Sequence, residues 1–488
     1  MWRPRIATIG LGGVAALGQA PQDWWFLTIA ALAIFAMRPV FGTNKQAFWS
    51  GWLFGFGYFL VALRWIVSPF LVDLAQTGWM APFAALAMAG GLALFWGAAS
   101  LLAYRLAPRS PAIILLALAA AEMARSLIMS GFPWALLGHV WLETPLVQLS
   151  AFIGPHGLSL LTAMTTWAVI AISQRRLLIG AVCLLAFAGG WVGLAPPAQQ
   201  IDVTAPTIRL VQPNAAQADK WDPVKAPQFF DRMLTFSAAA PRPDLIVWPE
   251  TAVSYLLDEA GPEFNRIKET VGGVPLITGI NRREGLRFYN SLVLVSGDGD
   301  VTDVYDKAHI VPFGEFIPGG ELLARIGIGG LAASQGQAFS SGAGPALIQI
   351  PGIGAARPLI CYEGIFSEEI DAGDQPRLMV LITNDAWFGP NAGPRQHLAQ
   401  ARLRAIEQGV PMVRVANTGI SAMIDAYGRV IAHIGMGQAA MLDVALPPKR
   451  PATLYGRFGD IPAAMLLLLC LLFARTAGRR SNMLTGTS

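Results

Sequence analysis

The segment Pro358-Leu359-Ile360-Cys361-Tyr362-Glu363-Gly364 reads as an apolar strand that ends on a thiol and runs into a loop. An α/β domain exposes its reactive groups where strands end. Similar short apolar or β-branched runs recur at Ile208–Val211, Leu245–Trp248, Leu276–Thr278, Ser291–Val295, Met379–Thr383, Met412–Ala416 and Ser421–Ile424, alongside Leu359–Cys361 itself. Helical patterns at Pro227–Ala240 and Gln396–Gln408 fall between them, and Gly and Pro punctuate the joints. Strands alternating with helices predict a layered α/β domain.

Outside this domain the composition changes. The 488 residues are 54% hydrophobic and only 14% charged, whereas a soluble globular protein carries about 25% charge. The surplus lies in apolar runs at Ile6–Gln19, Trp24–Met37, Phe48–Val67, Met80–Leu106, Ile113–Ser130, Val147–Ile172, Leu177–Leu194 and Ile461–Ala474. A membrane-spanning helix needs about 20 mainly apolar residues, and the 15 Trp suit a chain that crosses headgroup regions. The first run also fits a signal-peptide core, but no cleavage-type site follows it.

Basic residues fall at alternate ends of these runs. Arg3 and Arg5, Arg38 and Lys45, Arg105 and Arg109, Arg175 and Arg176, and Arg475, Arg479 and Arg480 mark one side; the connections near Gln22, Asp73 and Glu143 are poor in Lys and Arg. This positive-inside alternation predicts a bundle of about eight transmembrane helices with both termini cytoplasmic. The expected organisation is a seven-span bundle over 1–198, an extracytoplasmic catalytic domain over 199–455 entered through a linker at Ala195–Pro206, and a last span with a cytoplasmic tail over 456–488. A net charge of +4 gives no footprint for nucleic acid. Three Cys exclude a disulfide framework, and neither they nor the five His show metal-ligand spacing, so no metal or cofactor is expected.

Cys361 is the lone Cys of the exported segment; Cys183 and Cys470 lie in spans and read as packing residues. A buried small hydrophobe is the commoner fate of a lone Cys, but two other segments end apolar runs on charge. Leu245-Ile246-Val247-Trp248-Pro249-Glu250 is one, and Tyr305-Asp306-Lys307 leading to Glu315 is the other. A thiol attacks as thiolate and needs a base or a neighbouring cation. A carboxylate can take its proton, an ammonium can stabilise thiolate and oxyanion, and a second carboxylate can orient both. His309 reads as structural. Arg64, Glu122 and Arg125 lie in or beside spans, where charge is a functional candidate, though the i,i+3 spacing of Glu122 and Arg125 also suits an ion pair on one helix.

These segments resemble the catalytic segments of the nitrilase, or carbon–nitrogen hydrolase, superfamily. Tyr289-Asn290-Ser291, Asn384-Asp385-Ala386-Trp387-Phe388, and Ala405-Ile406-Glu407 with Asn417-Thr418-Gly419 extend the likeness over roughly 205–445. The resemblance implies an αββα sandwich with Glu250 as general base, Lys307 as oxyanion stabiliser, Cys361 as nucleophile, Glu315 as supporting carboxylate and the Tyr362 amide in the oxyanion hole. Held between a seventh and an eighth span, such a domain is similar to the apolipoprotein N-acyltransferase family. Gly131-Phe132-Pro133-Trp134, Gln212-Pro213-Asn214, Lys220-Trp221-Asp222, Cys361-Tyr362-Glu363, and Thr453-Leu454-Tyr455 through Gly459-Asp460 carry that likeness. It adds Trp221, Tyr362 and Glu363 to the expected site. One local departure is Gly154-Pro155-His156-Gly157, which touches no triad residue.

The resemblance implies an acyl chain taken from a membrane phospholipid by Cys361 as a thioester, then passed to the N-terminal amine of a diacylglyceryl-cysteine apolipoprotein. It implies a multi-pass protein of the bacterial inner membrane with its catalytic domain facing the periplasm, and a monomer is expected. Two other readings stay open on the sequence: a membrane-anchored amidase or nitrilase-type hydrolase, and a non-catalytic sensor or transporter. The apolar segment Phe316–Ala332 is either a membrane-dipping lid that keeps water from the thioester or a loop packed on its own domain.

Overall fold

The computed structural model describes residues 3–38, 42–108, 110–198, 202, 204–316, 338–370 and 373–485. The chain divides into two units: 1–197 with 391–399 and 453–488, and 198–390 with 400–452. The helix Ala392–Gln408 is shared, its residues up to Ala399 falling with the first unit. Apart from Phe316, the expected lid Phe316–Ala332 lies outside the described residues.

The first unit is helical. All eight apolar runs lie mainly on helix, but few are full-length spans. Leu74–Leu106 and Pro145–Ser173 are long and apolar enough to cross a bilayer, and Asn44–Ala62 with Arg64–Leu71 makes a third if the pair, bent by 50°, acts as one. Shorter apolar helices occupy Trp25–Ala36, Gly180–Gly193 and Ile461–Thr476. The run expected over Phe48–Val67 breaks after Ala62, and Pro69 lies inside the tighter helix that follows. The Pro69 ring removes an N–H within that tighter helix and disfavours a regular α-turn there.

Two charged residues of this unit, Glu122 and Arg125, form a buried pair. Arg125 donates to Glu122 (3.2 Å) and to the carbonyls of Phe132 and Trp134, and Glu122 accepts from Trp96 Nε1 (3.3 Å) and the Leu137 amide. This fully buried pair pins the Gly131-Phe132-Pro133-Trp134 loop to its helix. Arg64 donates to the nearby Val61 carbonyl. Gly154, with φ +61°, breaks the helix Ser150–Ser173, and a side chain there would collide with the Tyr455 ring. The departure at 154–157 and the Tyr455 motif therefore answer each other.

The second unit is a sandwich of two mixed sheets. In chain order the strands are β1 Thr207–Gln212, β2 Leu245–Val247, β3 Val253–Leu256, β4 Leu276–Glu284, β5 Arg287–Val295, β6 Val301–Asp306, β7 Ile348–Ile350, β8 Gly354–Ile360, β9 Leu378–Thr383, β10 Met412–Ala416, β11 Ser421–Ile424, β12 Val430–Ile434 and β13 Ala440–Ala445. One sheet runs β13-β1-β2-β4-β5-β6 with β3 against β4, and the other runs β12-β11-β10-β9-β8-β7. The central pairs β1–β2, β2–β4, β8–β9 and β9–β10 are parallel. Strands covered on both faces read as continuous apolar runs, as Leu378–Thr383 does. Ile208, Leu210, Leu245, Val247 and Ile277 of one sheet and Ile360, Val380, Ile382, Val413 and Val415 of the other form a single buried core. The helices Lys225–Ala238 and Gly261–Val271 cover the outer face of the first sheet through Phe230, Met233, Phe264 and Ile267, packed on Ile246, Trp248 and Val293. Residue period 2 sends alternate side chains of each strand to these two cores.

Candidate active site

Three strands end at one place. β2 gives way to Trp248-Pro249-Glu250, where the Trp248 ring is wedged edge-on against Phe230 (5.6 Å) and its indole N–H donates to Ser237 (2.9 Å). That anchor fixes the turn carrying Glu250. The turn lies so close to β4 that a Cβ on Gly279 would run into the backbone of Glu250 and Thr251. Glu250 is 6% exposed, and its carboxylate accepts from Asn290 Nδ2 of β5 at 2.7 Å.

β6 delivers Lys307, which is 1% exposed. Its amide donates to the Asn290 carbonyl (2.8 Å) and its ammonium lies 2.8 Å from Glu315 Oε1. Glu315 is steadied by the Val311 amide (2.7 Å), so residues 307–315 fold back on themselves. Asn290 thus holds Glu250 by its side chain and Lys307 by its main chain.

β8 stops at Ile360, one residue short of the expected Leu359–Cys361, and Cys361 opens a tight turn over Cys361–Ile365. Cys361 has φ +51°, a left-handed conformation that costs a non-glycine residue about 1–3 kcal/mol and is tolerated where function requires it. Glu363 fixes the turn. Its carboxylate accepts from the Ile360 amide (2.7 Å), the Tyr305 hydroxyl (2.7 Å) and the amides of Ala308 (2.7 Å) and His309 (3.3 Å). One side chain therefore ties the thiol-bearing turn to the Lys307 loop. Burial raises the Glu363 carboxyl above its ordinary range, while those hydrogen bonds and Lys307 pull it back.

Electrostatics join the pieces. Burial first, and the charge of Glu250 second, push the Cys361 thiol well above its ordinary value, against the downward pull of Lys307 and a hydrogen bond with Thr383. Burial alone would lower Lys307, but Glu315, Glu250 and Cys361 outweigh it and hold the ammonium above its ordinary range. Burial therefore favours the protonated thiol, beside a carboxylate and a cation, which is what a base-activated nucleophile requires. Tyr362 is buried, its ring edge-on to His309 (5.4 Å) and Phe366 (5.0 Å). His309 stacks on Phe366 and bonds Glu369 at 2.6 Å, a buttress for that turn.

The structure thus brings together Glu250, Lys307, Glu315, Cys361, Tyr362 and Glu363. Trp221 differs: it is 47% exposed, its ring lies 5.8 Å from the Lys220 ammonium, and among the described residues no hydrogen bond or ring contact joins it to Cys361. Sequence reasoning missed Asn290 and Lys220. Both stood in recognised segments, but only their neighbours carried the signal. Lys220 is buried, and its ammonium donates to the Glu250 carbonyl at 3.0 Å. Among the described residues no group of three or more His, Cys, Asp or Glu is arranged to hold a metal ion.

Two family models match the chain: the apolipoprotein N-acyltransferase N-terminal domain over residues 11–168 and carbon-nitrogen hydrolase over residues 207–452. The apolipoprotein N-acyltransferase of Rhodopseudomonas palustris is 35% identical over 96% of this chain and 94% of its own length. The chain belongs to the apolipoprotein N-acyltransferase family. That of Allorhizobium ampelinum is 38% identical over 89% of this chain and 88% of its own. Among solved structures, a CN-hydrolase superfamily protein from Xanthomonas campestris is 21% identical with TM-score 0.38, covering 54% of this chain and 97% of its own. Membership makes the chain an acyltransferase built on the carbon–nitrogen hydrolase fold.

Proposed function

We propose that this N-acyltransferase of lipoproteins works through a thioester on Cys361, with a membrane phospholipid as donor and the N-terminal amine of a diacylglyceryl-cysteine apolipoprotein as acceptor. Glu250 removes the thiol proton, Cys361 attacks the phospholipid ester, and Glu250 returns that proton to the departing oxygen as the lysophospholipid leaves. Lys307 and the Tyr362 amide stabilise the oxyanion, while Glu315 holds Lys307. The incoming amine then gives a proton to Glu250 and displaces the thiolate, leaving an amide. Trp221 lies at the margin of this site, and Glu363 holds the turn rather than reacting.

The observation that carries this reading is the convergence of Glu250, Lys307 and Cys361 at three strand ends, with Asn290 bonded to both Glu250 and Lys307. Alternating loop charge supports a multi-pass arrangement of eight spans in the bacterial inner membrane, with the short apolar helices Trp25–Ala36 and Gly180–Gly193 among them. In this arrangement 1–198 and 456–488 form the membrane part and 199–455 the periplasmic catalytic domain. Confinement to the membrane raises the effective concentration of both lipid substrates.

Intact mass spectrometry after exposure to phospholipid tests the reading. An acyl adduct on Cys361, absent from Cys361→Ala and discharged only by a diacylglyceryl lipopeptide amine, is expected. Free fatty acid released at the same rate without acceptor would make the protein a hydrolase, and a wild-type protein that never acquires the adduct would remove Cys361 as nucleophile.

A further inference from the structure

The site holds a second buried ammonium that the mechanism above leaves unused. Lys220, just before Trp221, is 6% exposed and reaches the Glu250 carbonyl at 3.0 Å. With Glu250 it lines a cavity of about 10 Å³ behind the β2 turn, together with Pro213, Phe229 and Asn417, room for about one water molecule. A buried charge persists only when it is paired. The hydrogen bond to a neutral carbonyl does not supply that pairing.

The charges around the thiol can be matched one by one among the described residues. Glu250, Lys307 and Asp385 face Cys361. Asp385 is paired with Arg414 at 2.6 Å, and Lys307 is committed to Glu315 at 2.8 Å. Glu250 accepts from an amide donor, Asn290, and shares the charge of Lys307 with Glu315, while the buried ammonium that lies against its own turn is Lys220. Glu250 and Cys361 are the two groups whose charges Lys220 feels. On its own segment, the Trp221 ring lies 5.8 Å away and Asp219 is turned outward to Lys225.

We propose that Lys220 is a positioning residue of the acyl transfer, the buried cation that accompanies the negative charge as it passes from the Glu250 carboxylate to the Cys361 sulfur. In that step the S–H bond breaks, an O–H bond forms on Glu250, and the thiolate takes over the charge that Glu250 gives up. Lys220 faces the charge before and after the transfer, so its attraction is kept throughout and nothing must reorganise. Without it the thiolate forms in a closed site with Lys307 as its cation, a charge shared with Glu315 and Glu250. Burial lowers Lys220 to about 8, against the upward pull of Glu250 and Cys361. Its charge is therefore mostly present at neutral pH and is lost as pH rises through about 8, which ties an alkaline fall in activity to this side chain.

The proposal rests on Cys361 and Glu250 acting as nucleophile and base, and its test separates the two. The full-length protein, wild type, Lys220→Gln and Lys220→Arg, is treated with iodoacetamide from pH 6 to 9.5. The rate of Cys361 alkylation is read by peptide mass, and kcat/KM for acyl transfer to a diacylglyceryl lipopeptide is measured in parallel. Gln keeps a donor for the Glu250 carbonyl but no charge. It should slow alkylation at pH 7 by about tenfold, the effect of one pKa unit on the thiolate fraction. Arg restores the charge, so alkylation should recover and the alkaline fall of kcat/KM should move upward by at least about one pH unit. A folded Lys220→Gln alkylated at the wild-type rate would overturn the proposal, leaving Lys220 a scaffold. Should Gln prevent folding, the Arg profile decides: a fall at the wild-type pH overturns it equally. A wild-type protein that is alkylated but never acylated by phospholipid refutes the thioester reading instead.

Discussion

Asn290 shows how much of a buried site rests on a residue that carries no charge. Its amide N–H reaches Glu250 at 2.7 Å and Glu315 at 3.5 Å, and its carbonyl holds the Lys307 amide. Removing one partner of a buried hydrogen bond costs about 1–3 kcal/mol when the other is a charged group with nowhere to turn. Asn290→Ala should therefore lower kcat/KM by about 10- to 100-fold while the β4–β5 ladder keeps the fold. Acyl transfer measured beside thermal unfolding checks this, and a wild-type rate in a folded Asn290→Ala would show that Glu250 needs no such tether. Glu250 and Cys361 stood out because each is a reactive side chain closing an apolar run, and Lys307 because its segment resembles a catalytic segment of the superfamily. Asn290 and Lys220 were not. What makes them matter is a contact across 40 and 30 positions of chain, respectively, and burial that composition does not reveal.

Elements whose apolar runs are buried on both faces could be read directly, as in Leu378–Thr383 and Met412–Ala416. Those at the sheet margins could not. β6, Val-Thr-Asp-Val-Tyr-Asp, ends its sheet with exposed alternate residues, and β13, Ala440–Ala445, is only half-buried along its length. β13 is held by pairing to β1 and by Arg209, which is fully buried and bonded to Asp443 at 2.7 Å, a partner 234 positions away. The helix Gly261–Val271 buries only Phe264, Ile267 and Val271 among charged residues, too thin a stripe to stand out in sequence.

The element that most constrains the site is β4, because Gly279 lets it pass against the Glu250 turn. The atoms a new Cβ would meet are backbone, Glu250 Cα and the Thr251 amide N, so no side chain can swing aside. Gly279→Ala should push the Glu250 turn outward and lower kcat by at least about tenfold, with KM for the lipopeptide little changed. Overpacking of this kind costs about 1–3 kcal/mol of stability. Steady-state kinetics with a thermal melt distinguishes this from global unfolding, and an unimpaired kcat would mean the turn is free to yield.

At the scale of the whole chain, the number of apolar helices that cross the membrane decides on which side the catalytic unit stands. Among the described residues two helices qualify by length and apolarity, or three with the bent pair; the proposed eight spans rest on loop charge. Charge decides topology because translocating Lys and Arg in short loops is disfavoured, so the proposed arrangement keeps each basic cluster cytoplasmic. If Trp25–Ala36 and Gly180–Gly193 were not spans, Arg175 would fall on the same side as the catalytic unit, and the alternation would be coincidence. Single cysteines at exposed positions test this: Lys45→Cys, Asp73→Cys, Arg175→Cys and Asp298→Cys, the last in the β5–β6 turn. The native thiols contribute a background that the parent protein measures. A membrane-impermeant maleimide added to intact spheroplasts should label positions 73 and 298 and leave 45 and 175 untouched until the membrane is permeabilised. Labelling at 175 in intact spheroplasts would delete the seventh span from the reading, and labelling at 45 would invert the whole arrangement. Protection at 298 would put the catalytic unit in the cytoplasm, out of reach of acceptors on the outer face, and the proposed donor and acceptor would both have to be abandoned.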